Sequence, residues 1–109
     1  MYKEKELRDW GIEKGILVKS RIGCVGSVVA QLKKTSEEVV EAVEAYCGNP
    51  DKDSIRSEFE TEIGDIYVTW IMACSAAGVL PEECIDLAYK KIKDRNGSMK
   101  NGQFVKEVV

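Results

Sequence analysis

Apolar residues recur every three or four positions in three stretches of the chain, which is the spacing of one face of an α-helix. Gly15 and Gly78 are expected to end the first and third helices, and Asp51 or Asp53 to cap the third. Pro81 suits the first turn of the fourth helix, where a missing N–H is tolerated. The predicted helices cover residues 3–14, 27–46, 54–77 and 81–95.

The C-terminal tail does not continue this pattern. Asn101 and Gly102 form the favoured two-residue turn of a β-hairpin, between Met99-Lys100 and Gln103-Phe104-Val105. A length of 109 residues fits one domain. Residues 1–109 are therefore predicted to form a single all-α domain, a four-helix bundle-like fold with a short C-terminal β-hairpin in residues 97–109.

Residues 66–74 of the third predicted helix are apolar nearly all round. A helix of this kind is covered on every side, in a core or by another subunit. Because a domain this small buries a limited share of its surface, self-association would stabilise it. We expect a homo-oligomer with this segment at its interface.

Composition narrows the classes of function. With 16 basic and 19 acidic residues, the chain lacks the basic surface that broad nucleic-acid binding needs. It has no apolar run of about 18 residues and no signal-peptide pattern, so no membrane partner and a cytoplasmic location are expected. Its four cysteines contain no CxxC pair and are expected to be reduced, buried and inert.

Histidine is absent, which excludes Ser-His and Cys-His nucleophiles and mixed Cys/His zinc sites. Chemistry in this chain must therefore use carboxylates, lysines and arginines, with or without a metal ion. The carboxylates that stand out form two motifs. Glu37, Glu38 and Glu41 lie on the second predicted helix, and Glu62 and Asp65 on the third.

Residues three apart on a helix are about 60° apart in projection, so Glu38 and Glu41 share a face, as do Glu62 and Asp65. The short loop between the two helices makes them antiparallel neighbours, and the four carboxylates can meet. Such a cluster is repulsive unless a cation compensates it. All-oxygen ligands suit Mg²⁺, with Mn²⁺ as a substitute.

A solvated glutamate-rich face is the simpler interpretation of either motif alone. Two features favour a site. Gly64 lies mid-helix beside Asp65, where glycine costs about 1 kcal/mol relative to alanine, and close helix approach or clearance for a ligand would explain it. The second motif also leads directly into the most apolar stretch of the chain.

The series EExxE, 20 further residues and ExxD resembles that of the all-α nucleoside triphosphate pyrophosphohydrolases, which include MazG-like proteins, dimeric dUTPases and dCTP pyrophosphatases. The resemblance extends from Trp10 to the tail, and residues 91–107 are especially similar to short MazG-like proteins of phages and bacteria. It implies an enzyme that hydrolyses a nucleoside triphosphate to the monophosphate and pyrophosphate, in dimers or tetramers whose active sites draw on neighbouring subunits.

The resemblance also implies roles for individual residues. Glu37 would hold a further ion or orient water, and Lys91 and Arg95 would contact the triphosphate. The family often has another acid directly before ExxD, where this chain has Thr61. The implied nucleotide-pocket residues are Trp10 and Gln31, and the implied Mg²⁺ ligands are Glu38, Glu41, Glu62 and Asp65.

In the mechanism that follows as a hypothesis, Glu37 or Glu41 accepts a proton from the attacking water, and Lys91 and Arg95 stabilise the growing charge. One alternative is a non-catalytic helical module that binds a nucleotide or a partner. Another is a ferritin-like di-iron bundle, which the absence of histidine disfavours.

Overall fold

The computed structural model describes the backbone of residues 1–48 and 52–107 and the side chains of residues 1–48 and 58–107. It is mostly helical and has one small antiparallel sheet, which confirms the predicted class. The elements are α1 (Glu4–Glu13), a 3-10 helix (Lys19–Arg21), α2 (Val25–Gly48), α3 (Lys52–Ala77), α4 (Pro81–Ile92), β1 (Gly97–Lys100) and β2 (Gln103–Lys106).

The ends of the elements follow from local chemistry. Gly15 and Gly78 adopt φ values of +76° and +73°, the left-handed conformation in which glycine ends a helix. After Gly78, the Val79 N–H donates to the Cys74 carbonyl at 3.0 Å, which closes α3. The expected caps, Asp51 and Asp53, lie outside the described side chains.

The C-terminal segment forms the predicted hairpin. Asn101 and Gly102 have φ values of +50° and +75° at its turn, and Met99 pairs with Phe104. The Glu107 N–H donates to the Asn96 carbonyl at 2.8 Å. This bond lies next to the Gly97–Lys106 pair and continues the pairing past the ends of β1 and β2. Because the chain turns into this hairpin, α4 ends at Ile92, before the predicted end at residue 95.

The core forms where α1 and α2 pack against α3. Gly11 is the contact point on α1: a Cβ added there would lie 2.6 Å from the Met72 Sδ and 3.0 Å from a Leu17 methyl carbon. Met72 is 1% exposed and Ile71 is fully buried. The chain itself therefore buries Ile71, Met72, Ala73 and Cys74, which accounts for the second half of the apolar segment 66–74; that the segment takes part in a subunit interface stays a prediction.

The fourth helix does not join this core as a closed bundle would require. The axes of α3 and α4 differ by 101°. The radius of gyration is 16.7 Å, larger than the value of about 13 Å typical of a compact chain of this length. Within a single chain, α4 and the hairpin extend away from the packed group of α1, α2 and α3.

The cysteines do not share one environment, contrary to the expectation that all are buried. Cys74 is buried and Cys84 partly so, but Cys24 and Cys47 are exposed. Backbone hydrogen bonds from Ser27 and Gly26 lower the pKa of Cys24, because its sulfur lies at the start of α2, where backbone N–H groups lack partners. Burial raises the pKa of Cys74 to about 11.

Among the described residues, no single helix is long and apolar enough to cross a membrane. One pair, Glu58–Ala77 with Pro81–Ile92, meets the criteria of length and composition together, but the pair is bent by 101°.

Candidate metal centre

Three glutamates on the facing sides of α2 and α3 form a tight cluster. Carboxylate oxygens of Glu38, Glu41 and Glu62 all lie within 4.8 Å of one another. The first two are one helical turn apart on α2, and Glu62 meets them because α2 and α3 run antiparallel. Glu38 is 7% exposed, Glu62 is partly buried and Glu41 is exposed. The cluster thus has a buried inner side and an open outer side.

Two oxygens on the inner side lack hydrogen-bond partners. Glu38 Oε2 and Glu62 Oε2 are both buried, and within the described part of the chain neither finds a donor. Nearly all buried polar atoms in proteins are satisfied, and a buried charge without a partner is especially costly. A cation bound between these oxygens would supply what both of them lack.

The electrostatics of the cluster favour the binding of a cation. Burial raises the pKa of Glu38, and the neighbouring carboxylates of Glu41 and Asp65 raise it further. The pKa of Glu62 is raised by burial first and then by Glu41 and Asp65. Each shift reflects the cost of placing another negative charge beside the others in a poorly solvated position.

Asp65, the fourth carboxylate expected in the cluster, lies outside the group of three glutamates; it is one turn after Glu62 on α3 and extends the acidic surface toward α1. It lines a cavity of about 430 Å³, which begins at Glu38 and continues to Trp10 and Gln31. Trp10 is 41% exposed and supplies an aromatic wall. The other lining residues are Ile16, Ala30, Lys34, Val68, Thr69 and Met72. The cavity joins an acidic end to a largely apolar end.

Among the residues whose side chains are described, Lys34 is the basic one that forms a salt bridge with the cluster. Its Nζ lies 3.2 Å from Glu37 Oε2 and 3.8 Å from Glu38 Oε1. Glu37 itself is exposed and lies on the outer side of α2. Hydrogen bonding to Glu37 is the main cause of the raised pKa of Lys34.

Lys91 and Arg95 are not brought to this site in a single chain. Lys91 is exposed near the end of α4, and Arg95 is partly buried in the turn that follows. Neither lines the cavity that contains Glu38 and Asp65. The cause is the 101° bend between α3 and α4, which carries the end of α4 away from the acidic cluster.

Lys34 and Met72 are site residues that the sequence analysis missed. For Lys34 a signal was present, because it lies three residues after Gln31 and four before Glu38, on the same face of α2. For Met72 there was no such signal, since an apolar residue in an apolar stretch does not indicate a cavity.

Gly64 was singled out in the sequence, but the structure does not support close helix approach as its explanation. A Cβ added at Gly64 would meet nothing within 4 Å, so the two helices do not require a glycine there within one chain.

Compared with protein-family models, with curated proteins and with solved structures, the chain shows no significant match to any of them.

Proposed function

We propose that the protein is a Mg²⁺-dependent nucleoside triphosphate pyrophosphohydrolase of the MazG-like all-α type, which releases the monophosphate and pyrophosphate. The observation that carries the proposal is the pair of buried oxygens without hydrogen-bond partners, Glu38 Oε2 and Glu62 Oε2, within a carboxylate cluster that adjoins a cavity. A solvated acidic face would not leave such atoms buried and unsatisfied.

Under this proposal, Glu38, Glu41 and Glu62 hold the metal ion, and Asp65 completes the set from the wall of the cavity. Hard oxygen donors alone are the ligand type that Mg²⁺ prefers, and Mn²⁺ is the expected substitute. When bound, the ion supplies charge neutralisation for the triphosphate and lowers the pKa of a coordinated water. It also compensates the repulsion among the carboxylates, which adds to burial in raising the pKa of Glu38 and Glu62.

The exposed carboxylates are the candidates for proton transfer. Glu41 is solvent-exposed and belongs to the cluster, so it can accept a proton from the attacking water and release it to solvent. Glu37 is exposed one turn earlier on α2 and can orient water or hold a further ion. Glu38, by contrast, is too enclosed to exchange protons freely with solvent and serves as a ligand.

The cavity beside the cluster is of a suitable size for the nucleoside. Its volume of about 430 Å³ lies within the range of about 300–1,000 Å³ typical of small-molecule sites. Trp10 offers a ring on which a base can stack, and Gln31 offers an amide that can both donate and accept hydrogen bonds. The phosphates would then extend toward Glu38 and Asp65.

The proposal includes a homo-oligomer, a dimer or a tetramer. An apolar groove of about 320 Å³ lies between residues 39–47 of α2 and residues 59–66 of α3. Exposed side chains such as Val43 and Tyr46 line it. Monomers rarely expose contiguous apolar surface of this kind without a partner. A second copy packed there would cover the groove, and under the proposal Lys91 and Arg95 act at the active site of a neighbouring copy.

The test is a panel of nucleoside triphosphates incubated with Mg²⁺, with monophosphate, pyrophosphate, diphosphate and orthophosphate detected separately. We expect monophosphate and pyrophosphate from wild type and from Glu44→Gln, and neither product from Glu38→Gln. Glu44 is the matched control because it is exposed on the same helix and outside the cluster.

Two other outcomes would change the assignment. Diphosphate with orthophosphate would contradict the proposed cleavage position. The absence of any turnover, together with no metal-dependent change in melting temperature, would favour the non-catalytic helical module that binds a nucleotide or a partner.

A further inference from the structure

Lys34 occupies a position between the acidic cluster and the cavity. Its ammonium is shared by Glu37 and Glu38, at 3.2 Å and 3.8 Å. Glu38 is the buried member of the cluster, and one of its oxygens is the atom that Lys34 reaches. The other oxygen, Oε2, has no hydrogen-bond partner among the described residues. A single positive charge thus compensates only part of the acidic cluster.

The same side chain is also a wall of the cavity. Lys34 lines it together with Trp10, Gln31 and Asp65. The Lys34 side chain is 53% exposed, and its four-carbon stem leaves the ammonium free to change partners. A modest rotation of the stem can therefore exchange a carboxylate partner for an anionic ligand in the cavity.

A divalent ion at the cluster would disturb the Lys34 contacts. The ion and the ammonium carry charges of the same sign and compete for Glu38, and at short separation they repel each other. A triphosphate brought in with the ion carries several negative charges. These charges are a better partner for a displaced ammonium than the carboxylates, whose charge the metal has then compensated.

We propose that Lys34 is an internal counter-cation of the acidic cluster, which the divalent ion displaces and which then binds the phosphate chain of the nucleotide. The inference rests on the proposed function and extends it, because it gives Lys34 a role in each of two states. Lys34 pairs with carboxylates in the metal-free protein and with phosphates in the substrate-bound protein. Lys34 thereby couples metal binding to nucleotide binding: it opposes the metal alone and favours the metal together with the nucleotide.

The experiment compares Lys34→Gln with Lys33→Gln. Lys33 is the adjacent exposed lysine, about 100° further round α2, and has no salt bridge within the described part of the chain. Both variants lose one positive charge on the same helix, so a difference between them reports the local contacts of Lys34. Mn²⁺ affinity is measured without nucleotide by calorimetry, and KM and kcat for the best triphosphate are measured with Mg²⁺.

We expect Lys34→Gln to bind Mn²⁺ about three-fold more tightly than Lys33→Gln, a difference in the range of a partly exposed ion pair. We also expect its KM for the triphosphate to rise several-fold with kcat changed less. A purely structural role of Lys34 would neither tighten Mn²⁺ binding nor raise the KM. Equal melting temperatures of the two metal-free variants would show that folding is unaffected.

The remaining outcomes overturn the inference. Equal Mn²⁺ affinities in the two variants would show that Lys34 does not compete with the metal. Tighter Mn²⁺ binding with an unchanged KM would show that Lys34 does not move to the phosphates. If either of these two results is obtained while wild type binds Mn²⁺ and hydrolyses nucleotide, the proposed function stands and only the role of Lys34 fails. If no variant binds Mn²⁺, the metal site fails, and the role of Lys34 fails with it.

Discussion

Glu38 on α2 and Glu62 on α3 bring carboxylate oxygens within 4.8 Å of each other, and each keeps one buried oxygen without a hydrogen-bond partner. This arrangement has two results. The pKa values of both carboxyl groups are raised, and the pair can hold a cation between its oxygens.

The stability of the metal-free protein is expected to depend on pH through this pair. Because the folded-state pKa values of Glu38 and Glu62 are raised above 4.5, the folded state binds more protons than the unfolded state just above that pH. The pair should therefore lower stability as pH rises from about 4.5 through the raised pKa values. Melting temperatures in the presence of EDTA measure the effect, and Glu38→Gln should show a weaker dependence than Glu44→Gln.

Divalent cations should compensate the charges of Glu38 and Glu62 and so stabilise the fold. At a metal concentration about 100-fold above the Kd, binding to the folded state alone adds about 2.7 kcal/mol to the free energy of unfolding. We expect Mg²⁺ and Mn²⁺ to raise the melting temperature of wild type and of Glu44→Gln, and to have little effect on Glu62→Gln. An equal rise in Glu62→Gln would place the bound ion elsewhere.

Subunit complementation tests whether the active site is shared. Glu38→Gln and Arg95→Ala should each be inactive when produced alone. If a dimer shares its sites, co-expression yields mixed dimers with one intact site, and about a quarter of wild-type activity should return. If no activity returns although mixed dimers are isolated, Arg95 does not act across the interface.

Substitution of two glycines should have opposite effects on stability. Gly11→Ala places a methyl group against the buried Met72, and we expect a loss of about 1–3 kcal/mol in the free energy of unfolding. Gly64→Ala meets nothing within 4 Å in a helix interior, so a gain of about 0.5–1 kcal/mol is expected. Denaturant unfolding measures both changes. Lost activity in a stabilised Gly64→Ala variant would show that the site needs this clearance for a ligand.

Thiol reactivity should follow the different environments of the cysteines. Cys24 is exposed and has a lowered pKa, whereas Cys74 is buried with a pKa raised to about 11. Because the thiolate is the nucleophile, iodoacetamide near neutral pH should modify Cys24 well before Cys74. Peptide mapping by mass spectrometry checks the order. Modification of Cys74 first would indicate that the end of α3 opens readily.

The meeting of the two acidic motifs was predictable because it depends on local rules. Helical spacing places Glu38 and Glu41 on one face, and the short connection between α2 and α3 makes them antiparallel neighbours. The hairpin was predictable for a similar reason, since Asn101 and Gly102 adopt the positive φ values that its turn requires.

Features that depend on distant parts of the chain were not predictable. Gly78 marks the end of α3, but nothing local fixes the 101° direction in which α4 continues, so the remote positions of Lys91 and Arg95 could not be foreseen. The apolar character of residues 66–74 also could not distinguish the core of one chain from an interface between chains. The packing of α1 against Met72 shows that the second half of this segment belongs to the core of one chain.

Met72 contributes both to the attachment of α1 and to the wall of the cavity. It lies beneath Gly11, where α1 is attached, and it also lines the cavity between Trp10 and the carboxylates. A substitution of Met72 that enlarges or narrows the cavity will therefore also alter how firmly α1 is held. In this chain a change of cavity shape made at Met72 would act on thermal stability at the same time, and Gly11 and Leu17 are the neighbours at which a compensating change could be made.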